Sequence, residues 1–168
     1  MASAADFSLG KVAEAMTPRE RFAEFLQTRG KRATRQRQMI VDHVCRHHEH
    51  FDADQLLASL RKTPQGAKAS RPTVYRTLAE MVDAGLLRKM SLGGRAVYEH
   101  DYGYPQHDHL HCTSCQRLIE FSSDELGRIC AAVAAGHRFQ PRGHRLIISG
   151  LCADCRTSRS KSRHQDRV

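Results

Sequence analysis

No stretch of this chain is apolar for long enough to span a bilayer, and its start lacks the basic–apolar–small pattern of a secretory leader. No membrane partner is therefore expected, and the expected location is the cytoplasm. In that reducing compartment disulfides are disfavoured, so the six cysteines point to other uses. Two zinc-enzyme signatures are missing as well. The chain contains neither H-E-x-x-H nor a complete H-x-E…P-C-x2-C, the patterns that pair an open metal position with a general base. Acidic residues are scarce: 18 Asp and Glu stand against 27 Lys and Arg. The imbalance is uneven. Residues 1–90 hold 16 Lys/Arg against 10 Asp/Glu, residues 91–155 hold 6 against 7, and residues 156–168 hold 5 against 1. A basic first half suggests a polyanion partner, of which nucleic acid is the commonest. A solvated surface and a disordered tail would give the same count.

What the chain does have begins with helix starts. Thr17 can cap, Pro18 suits the first helical position and Glu20 completes a capping box, with Phe22, Phe25 and Leu26 following at helical spacing. Thr34 opens a second helix whose stripe is Met39, Ile40, Val41, Val44 and Cys45. Asp52 caps a third, with Gln55 three residues on and Leu56, Leu57 and Leu60 inside. Ser70 caps a fourth, where Val74, Leu78, Met81 and Val82 share one face and Gly85 stops the run. Residues 86–100 then read as a hairpin turning at Gly93-Gly94. Helices followed by a two-stranded ribbon predict the winged variant of helix-turn-helix.

From about residue 104 the pattern changes. Short strands flank Cys112-Thr113-Ser114-Cys115, the sequence SSDE at 122–125 reads as another capping box, and a β-rich segment at 144–151 leads to Cys152-Ala153-Asp154-Cys155. This half is expected to have a small core of its own. The tail has almost no apolar content and is expected to be disordered.

Cys112, Cys115, Cys152 and Cys155 form two C-x2-C pairs separated by 36 residues. Two thiolates three apart on a tight turn reach one ion, and two such turns complete the tetrahedral shell of structural Zn²⁺. Four unrelated free cysteines, or a redox pair opening a helix, are the alternatives. His107 and His109 alternate along an extended segment and so share a face. With Glu120 beyond the first cysteine turn, Glu99 at the end of the wing and His50 before the third helix, they would give a mixed nitrogen–oxygen shell. Such shells suit Fe²⁺, Mn²⁺, Co²⁺ or Zn²⁺. Polar side chains exposed to solvent, or one end of a hydrogen-bond network, would also account for these residues.

The run His107-Asp108-His109-Leu110-His111-Cys112-Thr113-Ser114-Cys115 followed by Leu118-Ile119-Glu120-Phe121, the Thr73–Leu78 sequence TVYRTL, and the late Cys152–Cys155 pair together resemble the ferric uptake regulator family of bacterial metal-dependent repressors. The likeness covers roughly residues 18–155. It implies an α+β protein: a winged helix-turn-helix DNA-binding domain over 17–100, a hinge at 101–106 and a zinc-organised α/β dimerisation domain over 107–155. Residues 1–16 would be an arm and 156–168 the basic tail. The resemblance also implies a regulatory metal at the hinge on His50, Glu99, His107, His109 and Glu120. Glutamate rather than aspartate at Glu99 and Glu120 tilts this from the family's peroxide sensors towards Fe²⁺, with Mn²⁺ or Zn²⁺ possible. Zinc sensors of the family tend to bring a cysteine into that site, and Cys45 and Cys130 lie outside the motif. Many members hold a further metal. Asp108 and His144 match two of its ligands, but Gln106 and Gly127 stand where the others would be, so Asp108 and His144 are expected to hydrogen-bond instead.

The fourth helix has the residues of a groove reader. Tyr75 can meet a thymine methyl, Arg76 a base or phosphate, and Arg71 and Thr73 the phosphates near the helix start. The resemblance adds Arg32 in the minor groove and Arg37 on the backbone. The implied partners are a second copy of the chain and double-stranded DNA carrying an A·T-rich inverted repeat. A purely structural zinc module would require neither the TVYRTL helix nor the histidine–carboxylate set.

Overall fold

The computed structural model describes residues 15–47 and 49–157. Most of the expected arm, His48 and nearly all of the basic tail lie outside the described residues. The chain divides into two compact units, changing from one to the other between Pro105 and Gln106.

The first unit runs α1 (Pro18–Thr28), α2 (Arg35–Val44), α3 (Ala53–Arg61), α4 (Arg71–Asp83), β1 (Leu87–Leu92) and β2 (Arg95–His100). Each helix starts where a side-chain oxygen takes up an otherwise unsatisfied N–H. Thr17 and Asp52 form full capping boxes with Glu20 and Gln55, while Thr34 and Ser70 accept from the N–H groups of Arg37 and Thr73. The apolar stripes meet in one core. Phe22 and Leu26 of α1, Ile40 and Val44 of α2, Leu60 of α3, and Val74, Leu78 and Met81 of α4 are its centre. β1 and β2 pair antiparallel from Leu87–His100 to Leu92–Arg95. Their turn needs positive φ at two successive residues, and Gly93 (+56°) and Gly94 (+78°) supply it without a Cβ clash. One pairing has no sequence signal. Phe51 exchanges backbone hydrogen bonds with Tyr98 at 3.1 and 2.8 Å, adding a third edge to the wing, and its ring stacks on that of Tyr98.

The second unit contains β3 (Asp108–Cys112), β4 (Leu118–Phe121), α5 (Asp124–Gly136) and β5 (Ile147–Gly150). β3 is central, antiparallel to β4 and parallel to β5. Two readings of the sequence are corrected here. The helix start is Ser123, whose hydroxyl accepts from the Leu126 N–H, so the box over 122–125 does not form. With the cap one residue later, Glu125 falls at the second helical position and Leu126 takes the third. The expected small apolar core is also not what this half buries. Among the described residues its buried side chains are His107, Asp108, His109, His111, Cys112 and Ala134. The large apolar groups Leu110, Ile119, Ile129, Val133, Phe139 and Ile148 are exposed. Strand alternation explains part of the split: His109 and His111 lie on one face of β3, and Leu110 lies on the other, open between the buried Asp108 and Cys112 at the strand's two ends. No described helix in either unit is long and apolar enough to cross a membrane.

Candidate metal centres and nucleic-acid face

The two cysteine pairs converge. One sulfur from each of Cys112, Cys115, Cys152 and Cys155 lies within 4.8 Å of all the others. The first pair sits on a tight turn after β3, closed by the Gln116 N–H donating to the Cys112 carbonyl at 2.8 Å. Gln116 itself takes φ of +64°. The second pair follows β5 directly. Thr113 ties the two turns together by donating its N–H to the Gly150 carbonyl at 2.9 Å, and Arg117 pairs with Asp154 at 3.2 Å. Cys155 lies in a helical turn over residues 153–157 rather than beside a strand. A helix-opening pair acting alone could be redox-active, but four sulfurs in one place make a closed thiolate cage. The backbone N–H of Cys115, and then that of Cys152, draw the Cys112 thiol down to about 6. Cys155 is pushed up to about 11: the Ser114 hydroxyl pulls it down, and hydrogen bonds with Cys152 and Cys115 outweigh that pull. Negative charge therefore gathers on Cys112 first, and four thiolates coexist only around a cation. The donor set is that of structural Zn²⁺, with no open coordination position.

The second donor set in this unit lies further back on the same strand. His107 and His109 are buried, with ring centroids 4.9 Å apart. Glu120 stands directly across from His109 in the β3–β4 register. One ligand atom from each of His107, His109 and Glu120 lies within 4.8 Å of the other two. Imidazole and carboxylate donors at this spacing fit a divalent transition metal. His111 has the same strand parity but turns to Gln116, its Nε2 3.2 Å from Oε1. In the first unit, the unforeseen Phe51–Tyr98 pairing brings the preceding His50 opposite Glu99. The two bond at 3.2 Å, with Glu99 buried.

Asp108 and His144 are hydrogen-bonded, His144 Nε2 donating to Asp108 Oδ2 at 3.0 Å. Gln106 adds a bond from its amide to the His144 carbonyl at 2.6 Å. With Ser123, Gly127 and Arg128 these residues line a cavity of about 460 Å³.

On α4, Arg71, Tyr75 and Arg76 are exposed on one side, opposite the buried Val74, Leu78 and Met81. Arg71 reaches Asp54 at 2.8 Å and lies over the Tyr75 ring. Thr73 is half-buried and shares a 2.8 Å hydrogen bond with Ser70, so its hydroxyl serves the cap. Arg32 is exposed. Arg37 is placed differently: its guanidinium donates to the Arg32 carbonyl at 2.8 Å and to Glu80 at 3.1 Å. Lys31 reaches the same Glu80 oxygen at 2.8 Å. Glu80 is buried on α4 and anchors two cations of the basic stretch to the reading helix. Sequence reasoning missed this residue. The available signal was an acidic residue three positions after Thr77, on the buried side of α4.

Fold and sites define a winged-helix DNA-binding protein whose second unit is built around four converging cysteines that suit structural Zn²⁺. The model of the ferric uptake regulator family matches residues 28–149, and the chain belongs to that family. The ferric uptake regulation protein of Neisseria gonorrhoeae is 31% identical over 140 residues, covering 81% of this chain and 95% of that protein. Among solved structures, the ferric uptake regulator from Francisella tularensis with iron superposes with a TM-score of 0.66 at 26% identity, over 76% of this chain and 96% of that one. A zinc-bound manganese uptake regulator does so with a TM-score of 0.57 at 32% identity, over 78% and 98%. The chain is a metal-responsive transcriptional regulator, not an enzyme. Regulators of this family bind DNA as dimers.

Proposed function

We propose that this protein is an Fe²⁺-responsive repressor of iron uptake and homeostasis genes. The observation that carries the reading is the His107–His109–Glu120 set. Its donors are nitrogen and oxygen, while the four clustered cysteines are committed to the other site. His50 and Glu99 of the winged-helix unit would complete the shell, as in the family likeness. A cation held by donors from both units is a clasp. It supplies charge neutralisation for the carboxylates and one fixed point. With that cation bound, the imidazoles and carboxylates would orient the two units, and hence the α4 helices of a dimer, at the spacing of two half-sites. Binding favours that arrangement and shifts the population towards it.

The dimer would form on the open apolar face. Leu110 pairs in register with Ile119 on one side and Ile148 on the other, making a continuous exposed row across the sheet. Ile129 and Val133 add apolar surface on α5. A partner copy covering these groups would remove from water the area this unit leaves exposed. Tyr75 and Arg76 would then read base edges of an A·T-rich inverted repeat, with Arg71 and Arg32 on phosphate or minor groove.

Fluorescence anisotropy on such a duplex, after mild chelation, tests the metal assignment. Mn²⁺, a stable substitute for Fe²⁺, restores binding at micromolar concentration if the iron reading holds. Restoration by trace Zn²⁺ alone would move the protein to the zinc-sensing branch.

A further inference from the structure

We propose that this protein carries no third metal, and that a hydrogen-bonded latch of Gln106, Asp108 and His144 stands in its place, holding β3 so that His107 and His109 present their rings together. The proposal rests on the regulatory reading of His107, His109 and Glu120 given above.

The donors for a further cation do not converge. The cavity beside Asp108 and His144 is lined by Gln106, where an amide replaces imidazole, by Gly127, which offers no donor, by Asp124, whose carboxylate does not converge with Asp108 and His144, and by Arg128, which brings positive charge. Among the described residues, metal-competent groups converge in two places, and neither includes His144. The polar groups of Gln106, Asp108 and His144 are turned on one another and on Leu146. His144 Nε2 donates to Asp108 Oδ2 at 3.0 Å, the Leu146 N–H to Asp108 Oδ1 at 2.7 Å, and the Gln106 amide to the His144 carbonyl at 2.6 Å. Both Asp108 oxygens are used, and Asp108 is 2% exposed.

The placement gives the latch its consequence. Asp108 lies between His107 and His109, and strand alternation turns its side chain away from theirs. Fixing Asp108 on one face therefore fixes the rotation of the strand that aims both rings on the other. Leu146 is gripped twice, its N–H by Asp108 and its carbonyl by the His109 N–H at 3.0 Å. The same contacts hold the start of β5, which leads to Cys152 and Cys155. Groups that orient a ligand-bearing segment typically change metal affinity about 10- to 100-fold when lost.

The test combines metal counting with affinity. Full-length protein saturated with Mn²⁺ is dialysed and its metals counted by mass spectrometry. One Zn and one Mn per chain are expected. A second Mn or Zn that disappears in His144→Ala would overturn the absence of a third metal. Mn²⁺ affinity is then measured by competition with a metallochromic indicator. Asp108→Ala should keep its zinc and weaken Mn²⁺ binding about tenfold or more. Asp108→Asn should bind as the parent does, because its amide accepts from Leu146 and donates to His144. Unchanged affinity in Asp108→Ala would overturn the positioning role. Should that variant lose its zinc, His144→Ala, which spares the Leu146 bond, must show a smaller loss in the same direction; no loss there overturns the latch. His109→Ala is the separate control. Undiminished Mn²⁺ binding in it would remove the regulatory site itself, whatever the latch does. Finally, an added Cβ at Gly127 meets nothing within 4 Å. Gln106→His with Gly127→Glu should therefore gain a further Mn²⁺, and failure to gain one would overturn the claim that these two residues are what exclude it.

Discussion

Replacing Glu80 by Gln tests how the reading helix is held. The Glu80 side chain is 9% exposed and receives Lys31 at 2.8 Å and Arg37 at 3.1 Å on one oxygen. Removing one partner of a fully buried ion pair costs about 3–5 kcal/mol. Here the cations are partly hydrated, Arg37 at 20% exposure and Lys31 at 49%, so screening reduces the figure. Charge-assisted hydrogen bonds of this kind contribute about 1.5–3 kcal/mol, and Gln retains a weaker acceptor, so we take about 2 kcal/mol. For a unit of this size that lowers Tm by about 10 °C. Thermal unfolding followed by circular dichroism on zinc-loaded protein reads it directly. Asp54→Asn is the internal control, because Asp54 and Arg71 are about equally exposed, at 61% and 60%, and such pairs contribute less than about 1 kcal/mol. A Glu80→Gln protein that melts with the parent, or no lower than Asp54→Asn, would refute the claim that the carboxylate anchors the basic stretch to α4.

Leu78→Ala empties a site with no exposed surface in the first core and should cost about 2–5 kcal/mol in denaturant titration, without changing zinc content. In zinc-stripped protein at pH 7, where the cage no longer closes over Cys112, iodoacetamide followed by peptide mass mapping should label Cys112 well before Cys45. The Cys112 thiol is drawn down to about 6 and is therefore largely thiolate at that pH, whereas burial pushes Cys45 up to about 11 and keeps it protonated and unlabelled. Zinc should suppress the Cys112 reaction. Ile148→Asp places a charge in the exposed apolar row and should convert dimer to monomer in sedimentation at micromolar concentration. A dimer that survives it would place the interface elsewhere.

The helix starts at Thr17, Asp52 and Ser70 were legible because capping is local: three or four residues decide which oxygen meets which N–H. The wing turn was legible for the same reason, since Gly93-Gly94 is the short-range signal for a two-residue hairpin. Spacing also placed the four cysteines on two tight turns. What escaped was long-range or balanced by small differences. Phe51 joins the wing through pairing with a residue 47 positions away, and nothing in its neighbourhood announces that. Ser122 and Ser123 are equivalent as sequence, and a shift of one residue moved the cap. Arg37 sits in a basic run that reads as a DNA contact, and its bond to the buried Glu80, 43 positions away, has no local signal. Apolar content in the second half predicts a small core, but composition cannot say which side of a three-stranded sheet is covered. The Asp108–His144 bond was legible only as a mismatch, two ligand types present and two absent, and the geometry shows the pair closed on itself.

Metal control through the histidine–carboxylate set is the central claim. The most direct measurement is DNA-binding anisotropy of parent and His109→Ala, each with zinc retained, titrated with Mn²⁺ at fixed salt. The parent should gain affinity by more than about tenfold as Mn²⁺ rises through the micromolar range, while His109→Ala keeps its zinc and its fold and gains none. An equal response in the two proteins would contradict the account.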